Sequence, residues 1–133
     1  MSESPKKILI IDDDPFFVKA LSDSFRESGF TVFSAYDGVE GVGTYIKTSP
    51  DAVLCDLIMP LLGGVGTCTE ISRLAGANQP VIVLVSSMFE QESPHEHDTP
   101  EMGAKIHIPK STSTVDIVII VEQLLERGKY LQS

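Results

Sequence analysis

Five short apolar runs recur along the chain, each about as long as one buried β-strand. Within a run the apolar residues follow one another without alternation, which is typical of strands covered on both faces in a parallel sheet. The runs occupy residues 6–11, 30–35, 52–55, 81–85 and 104–108. The sequence therefore predicts five parallel strands.

The segments between these runs have the length and the start signals of helices. Asp14 stands before Pro15, an N-cap residue followed by a residue suited to the first helical position. We predict helices from residue 15 to a stop at Gly29, and over residues 39–47, 65–74 and 114–127. Pro94 and Pro100 interrupt the pattern between residues 86 and 103, so the fourth helix is expected to be short or irregular.

Strands that alternate with helices imply crossover connections and helices on both faces of the sheet. We therefore predict a doubly wound α/β fold. A chain of 133 residues suits one domain, which we place over residues 1–133 with its core at about 5–128.

Charge and composition exclude several classes of function. The formal net charge of −9 opposes binding to nucleic-acid phosphates and anionic lipid, so we expect no direct nucleic-acid contact. The apolar runs are far shorter than the roughly 20 residues of a membrane span. Cys55 and Cys68 lack the spacing of a metal knuckle or a disulfide framework, and we predict buried free thiols in a reducing cytoplasm.

Acidic residues follow two of the predicted strands. Asp12 and Asp13 come directly after the first strand, and Asp56 follows the third. Because ligands of such sheets bind beyond the carboxyl ends of the strands, we expect these carboxylates to meet at one edge. Their mutual repulsion calls for a cation, and an open carboxylate cluster suits Mg²⁺, with Mn²⁺ as a substitute.

Two further strand ends carry groups that complete a pocket. Ser86 follows the fourth strand and Lys110 follows the fifth, which adds a hydroxyl and an ammonium group to the same edge. A metal on one side and a positive charge on the other would accommodate a phosphoryl group, with one carboxylate as nucleophile. Taken singly, each residue has an ordinary explanation, such as a helix cap for Asp14, and only their joint placement favours a site.

The residues around these strand ends resemble a known family. The segments ILIIDDDP, VLCDLIMP, VIVLVSS and GAKIHIPK are similar to the four signature segments of response-regulator receiver domains, the chemotaxis-regulator-like superfamily with a flavodoxin-like fold. Their order is that of the family, and the resemblance covers essentially the whole chain. It implies a signalling phosphoacceptor of two-component systems rather than an enzyme with a turnover substrate.

The resemblance also implies a role for each matching acidic residue. Asp56 would accept the phosphoryl group from a sensor histidine kinase or a histidine phosphotransfer protein. Asp12 and Asp13 would hold the magnesium ion, with Asp56 and the backbone carbonyl of Ile58 as further ligands.

The remaining matching positions imply a switch. Lys110 would pair with the phosphoryl oxygens, and Ser86 would move toward them and alter a surface that a downstream protein contacts. His107 occupies the position of the family's switch aromatic residue, although it also fits an ordinary, partly exposed strand histidine. We expect a monomer or a weak dimer.

The sequence departs from the family pattern in several places. Pro109 precedes Lys110 where the family usually has proline after the lysine, which puts the family's cis peptide bond and the reach of the lysine in question. The turn after Met59 reads Pro60-Leu61-Leu62-Gly63-Gly64 and lacks the usual acidic or amide residue, which predicts a more flexible and more apolar loop.

Two departures bear on chemistry and partners. Ile58 and Met88 are apolar and are expected beside the phosphoryl group, so we predict slow hydrolysis. His95 and His97 suggest a weak metal site, but a solvated loop is the preferred interpretation.

Two other functions remain open at this point. The departures are compatible with a degenerate receiver that acts only by phosphorylation-independent contacts. Asp12, Asp13 and Asp14 also satisfy the Asp-x-Asp opening of haloacid-dehalogenase-type phosphatases, although those generally need a cap and further acidic motifs. No output domain is expected after the last helix, so the chain is either a stand-alone receiver or a piece of a longer regulator.

Overall fold

The structure is a computed structural model that describes residues 4–59, 61–87 and 104–132. The strands are β1 Lys7–Ile11, β2 Thr31–Ala35, β3 Ala52–Asp56, β4 Val81–Ser86 and β5 Ala104–Pro109. The helices are α1 Pro15–Glu27, α2 Gly38–Thr48, α3 Gly64–Ala75 and α4 Thr114–Gln132. These elements confirm the predicted α/β pattern, while the short or irregular helix predicted between residues 86 and 103 falls mostly outside the described residues.

All neighbouring strands of the sheet are parallel, in the order β2-β1-β3-β4-β5. The strand order reverses between β1 and β3, and this reversal is where doubly wound sheets bind their ligands. Ile11 of β1 pairs with Cys55 of β3, and Asp56 pairs with Val85 of β4. The register therefore brings the residues that follow β1 beside the end of β3.

The sheet separates two apolar cores, one on each face. Ile8 and Ile10 of β1 belong to the core under α1 and α4, whereas Leu9 and Ile11 belong to the core under α2 and α3. Successive side chains of a strand point to opposite faces, so a strand covered on both sides must be apolar at every position. This packing explains the uninterrupted apolar runs.

The start of α1 is fixed by the predicted cap. The Asp14 side chain accepts hydrogen bonds from the backbone N–H groups of Phe16 and Phe17, and Pro15 opens the helix. Such a cap satisfies donors that the first turn otherwise leaves without partners. The cap also sets the orientation of the first turn, which lies directly beside the acidic cluster.

The loop between β3 and α3 packs closely against its surroundings. A Cβ atom at Gly64 would lie 2.4 Å from the carbonyl oxygen of Asp56, and one at Gly38 would lie 2.2 Å from that of Leu62. Both positions therefore require glycine. Leu61 in this loop is 79% exposed and has a positive φ of 67°, while the predicted flexibility of the loop stays a prediction.

Both cysteines are buried free thiols, as predicted. Interaction with the Cys68 thiol, together with burial, raises the pKa of the Cys55 thiol well above its ordinary value. A thiol that resists ionisation is a poor nucleophile, so Cys55 serves as core packing beside Asp56.

Over the described residues, no helix combines the length and the apolar character that a bilayer crossing demands.

Candidate functional site

Three carboxylates meet at the edge of the sheet where β1 and β3 end. Asp12, Asp13 and Asp56 each offer an oxygen atom, and these oxygens lie within 4.8 Å of one another. Asp12 and Asp56 are buried, whereas Asp13 is exposed and opens the cluster to solvent. The three residues chosen from the sequence as acidic metal ligands are thus brought together.

The Lys110 side chain reaches this cluster from the end of β5. Its Nζ lies 2.9 Å from Oδ2 of Asp12, 3.2 Å from Oδ1 of Asp12 and 3.9 Å from Oδ2 of Asp56. The backbone N–H of Lys110 donates to the carbonyl oxygen of Ser86, which fixes the turn after the strand. No cis peptide bond occurs among the described residues, yet the lysine still reaches both carboxylates.

Asp12 is held by more than the lysine. Its Oδ1 accepts a hydrogen bond from the backbone N–H of Asp14 at 2.9 Å. Burial nevertheless raises the pKa of Asp12, because it outweighs the stabilisation that the Asp14 N–H and Lys110 provide. For Lys110, burial works to lower the pKa, but the hydrogen bond and the charge of Asp12 outweigh it and the pKa is raised.

Asp56 is the carboxylate most affected by its neighbours. Burial and the nearby charge of Asp12 raise the pKa of Asp56 to about 6, against the opposing influence of Lys110 and a hydrogen bond from the Ile58 backbone. One ammonium group thus fails to neutralise the negative charge of the cluster. A divalent cation bound by oxygen ligands would offset the remainder, so these residues fit a hard metal ion.

Ser86 and His107 occupy the neighbouring strands. Ser86 ends β4 as a buried residue paired with Pro109 of β5. His107 pairs with Leu84 and is only 6% exposed, so the alternative of a partly exposed strand histidine is wrong.

Sequence reasoning missed one residue of this site. The face of the Phe17 ring lies 4.7 Å from Nζ of Lys110, measured to the ring centroid. In the sequence Phe17 belongs to the apolar stripe of a helix, so its pattern indicates only core packing. Its position in the first turn of α1, directly after the acidic segment, is the only sequence signal that points to the site.

Two sequence interpretations fall outside the described residues. These are the contribution of Met88 to the apolar surroundings of the site and the weak metal site at His95 and His97.

Comparison with known proteins settles the family. A family model described as the response regulator receiver domain matches residues 8–122. The chain belongs to this family of receiver domains. Receiver domains of response regulators are signalling modules, and phosphorylation and Mg²⁺ are typical of them.

The receiver has relatives among curated proteins and solved structures. Response regulator MprA of Mycobacterium ulcerans (strain Agy99) is 32% identical over 123 residues, which cover 92% of this chain and 51% of that protein. The receiver therefore spans about half the length of the curated relatives it matches.

Two solved structures have a similar fold. The N-terminal domain of WS1339 from Wolinella succinogenes is 26% identical with a TM-score of 0.76, covering 96% of this chain and 99% of that one. The CheX-CheY-BeF3-Mg+2 complex from Borrelia burgdorferi gives 25% identity and a TM-score of 0.76, with 90% and 89% covered.

Proposed function

We propose that this receiver accepts a phosphoryl group on Asp56 in the presence of Mg²⁺ and thereby switches its contacts with a downstream protein. The observation that carries the proposal is the convergence of the three carboxylates and the Lys110 ammonium group at one strand edge. The donor would be a phosphohistidine of a sensor kinase or a phosphotransfer protein. In the transfer, the bond from phosphorus to the imidazole nitrogen breaks and a bond from phosphorus to a carboxylate oxygen of Asp56 forms.

The metal would be held by residues that already face one another. Asp12, Asp13 and Asp56 supply carboxylate oxygens, and the backbone carbonyl of Ile58 is the proposed fourth protein ligand. When bound, Mg²⁺ would offset the charge of the phosphoryl oxygens and of the carboxylates. Mn²⁺, which also prefers oxygen ligands, is a suitable substitute.

Asp56 is suited to act as the nucleophile because it is buried at the strand end and faces a cation. Lys110, whose Nζ is 3.9 Å from Oδ2 of Asp56, would meet the phosphoryl oxygens as they approach. A charge-assisted contact of this kind is strongest where water is excluded, and the lysine side chain is only 20% exposed. Lys110 would therefore stabilise the transferring group rather than the resting carboxylate alone.

The switch would run through β4 and β5. Ser86 is one strand away from Asp56 and would turn its hydroxyl toward the phosphoryl oxygens. His107, three residues before Lys110 in β5, would change its orientation in response. A local change of charge is thus converted into a change of the surface that a partner protein contacts.

The net charge and the family of the receiver also indicate its location and its kind of partner. We place the receiver as a single domain in the cytoplasm, as a monomer or weak dimer without direct nucleic-acid contact. The net charge of −9 supports a protein target over a nucleic acid. The Borrelia burgdorferi complex, which pairs a CheY protein with BeF3 and Mg²⁺, supports the phosphoryl and metal roles by similarity.

The test is intact-mass analysis after incubation with acetyl phosphate, with Mg²⁺ or with EDTA. We expect one phosphoryl adduct that requires Mg²⁺, is lost in base and is absent from Asp56→Asn. Asp23→Asn is the matched control, because Asp23 lies on the exposed surface of α1 and its variant should label like the wild type.

Other outcomes would favour the competing functions. The absence of an adduct, under conditions that label a known receiver, would favour an interaction module that works without phosphorylation. Steady turnover of a generic phosphate monoester would instead favour an aspartate-based phosphatase.

A further inference from the structure

We propose that Phe17 is a positioning residue whose aromatic face holds the ammonium group of Lys110 beside Asp56. The inference rests on the proposed function, since Lys110 is there the cation that meets the phosphoryl group. Its Nζ lies 4.7 Å from the ring centroid, within the distance of about 6 Å at which an aromatic face attracts a cation.

The ring completes the surroundings of the ammonium group. On one side Nζ donates a hydrogen bond to Oδ1 of Asp12 at 3.2 Å and forms an ion pair with Oδ2 at 2.9 Å, and Oδ2 of Asp56 lies 3.9 Å away. The ring contributes an apolar face that attracts the cation and takes up space that water would otherwise fill. The Lys110 side chain therefore has fewer conformations in which its ammonium group leaves the two carboxylates.

The ring is itself held in place by the start of α1. The backbone N–H of Phe17 donates to Oδ1 of Asp14, and the side chain packs against the apolar core under α1 and α4. The backbone N–H of Asp14 in turn donates to Asp12. The helix cap thus links the ring to the carboxylate that pairs with the lysine, and a flexible lysine stem gains a rigid support.

The first experiment measures the rate of phosphorylation by acetyl phosphate and Mg²⁺. We expect Phe17→Leu to react about three- to tenfold more slowly, which corresponds to loss of a cation–π contact, and Phe17→Tyr to stay close to the wild type. A small donor makes no contact with α1 as a protein partner would, so the change reports on the site itself.

Two control variants separate this effect from general packing. Phe16→Leu removes a ring from the same helical turn, but Phe16 is 84% exposed. Phe30→Leu removes a buried ring from the same core, where Phe30 packs edge-on against Phe25. Neither variant should slow phosphorylation as Phe17→Leu does.

Two further measurements identify the lysine as the group through which Phe17 acts. In the Lys110→Met background, Phe17→Leu should have no additional effect on the rate. In NMR spectra, the Lys110 Hε protons should show an upfield ring-current shift that disappears in Phe17→Leu and remains in Phe17→Tyr. Should Phe17→Leu fail to fold, trifluorophenylalanine at position 17 keeps the ring's shape, weakens its negative face and should slow the reaction similarly.

The outcomes distinguish this inference from the proposed function. If the wild type is phosphorylated and Phe17→Leu reacts at the same rate, the role of Phe17 is overturned, whereas Asp56 remains the phosphoacceptor. If Phe17→Leu slows phosphorylation by the same factor in the wild-type and in the Lys110→Met backgrounds, the role of Phe17 is also overturned. A wild type without any adduct would overturn the proposed function, and the positioning role would fall with it.

Discussion

The ammonium nitrogen of Lys110 lies 2.9 Å from Oδ2 of Asp12, although 98 positions separate the two residues in the chain. The Asp12 side chain is completely buried and that of Lys110 is only 20% exposed. A buried ion pair of this kind adds little to the free energy of unfolding, because its attraction is offset by the desolvation penalty. Removal of one partner, however, leaves the other charge buried without a counter-ion, which destabilises the protein. The pair also means that a metal ion at Asp12 would share that carboxylate with the lysine.

Lys110→Met is expected to destabilise the metal-free protein at neutral pH by about 3 kcal/mol, because the buried Asp12 carboxylate loses its partner. Mg²⁺ should restore part of the loss by binding the folded state. Urea unfolding with EDTA or Mg²⁺ measures both effects. The control is Lys19→Met, whose exposed pair with Asp23 should change stability by less than about 1 kcal/mol, and equal losses in the two variants would contradict the prediction.

The metal-free protein is expected to lose stability as the pH rises from about 4 to about 6. The pKa of Asp56 is about 6 in the folded state and 3.8 as its ordinary value, so the folded state binds more protons across this window. Asp56 alone accounts for at most about 3 kcal/mol of the loss. The raised pKa of Asp12 acts in the same direction.

Urea unfolding in EDTA at several pH values tests this dependence. Asp56→Asn should be more stable than the wild type at pH above that window, and its stability should fall less steeply within it. Asp23→Asn, an exposed carboxylate on α1, should keep the wild-type dependence. Identical curves for the wild type and Asp56→Asn would contradict the assigned pKa.

Sequence pattern predicted the elements of the fold but not where the strands end. The strand β3 continues to Asp56, β4 to Ser86 and β5 to Pro109, each one residue beyond its apolar run. Hydrogen-bond pairing of the backbone extends past the last apolar side chain, as when Leu57 N–H donates to the Val85 carbonyl oxygen. Such pairing depends on the neighbouring strand, so the hydrophobicity of one segment does not predict where its strand ends.

The carboxylate cluster was predictable because parallel strands end at one edge of the sheet. The principal partner of Lys110 was not, since its choice of Asp12 over Asp56 depends on rotamers that sequence does not encode locally. The contact of Phe17 with that lysine was missed for a similar reason. An apolar residue of a helix gives the same sequence pattern whether it packs in the core or contacts a cation. His107 was also interpreted as a partly exposed strand histidine, and its exposure of only 6% excludes that interpretation.

Leu61→Asn is expected to stabilise the protein by about 0.5 to 1 kcal/mol. Leu61 has a φ of 67°, a left-handed conformation that leucine adopts at a cost and asparagine tolerates. Its side chain is 79% exposed, so little burial is lost on replacement. Urea unfolding measures the gain, and Leu61→Ala serves as control because it removes the side chain without relieving the backbone. An equal gain for alanine would show that the backbone conformation is not the cause.

Ile58→Asn is expected to shorten the lifetime of the phosphorylated protein. The Ile58 side chain is 59% exposed and lies two residues after Asp56, whose carboxylate is hydrogen-bonded by the Ile58 backbone. An apolar group there offers no hydrogen bond to an attacking water, whereas an amide does. We expect loss of the phosphoryl group to accelerate about three- to tenfold, the equivalent of one hydrogen bond.

The lifetime is measured by intact mass after removal of acetyl phosphate, with Mg²⁺ retained. Val39→Asn is the matched control, since Val39 is 60% exposed on α2 and its replacement should leave the decay unchanged. Slow decay in the wild type together with faster decay in Ile58→Asn would identify the apolar side chain as a barrier to water. Loss of the phosphoryl group from the wild type within seconds would contradict the prediction, because the apolar surroundings would then offer no protection.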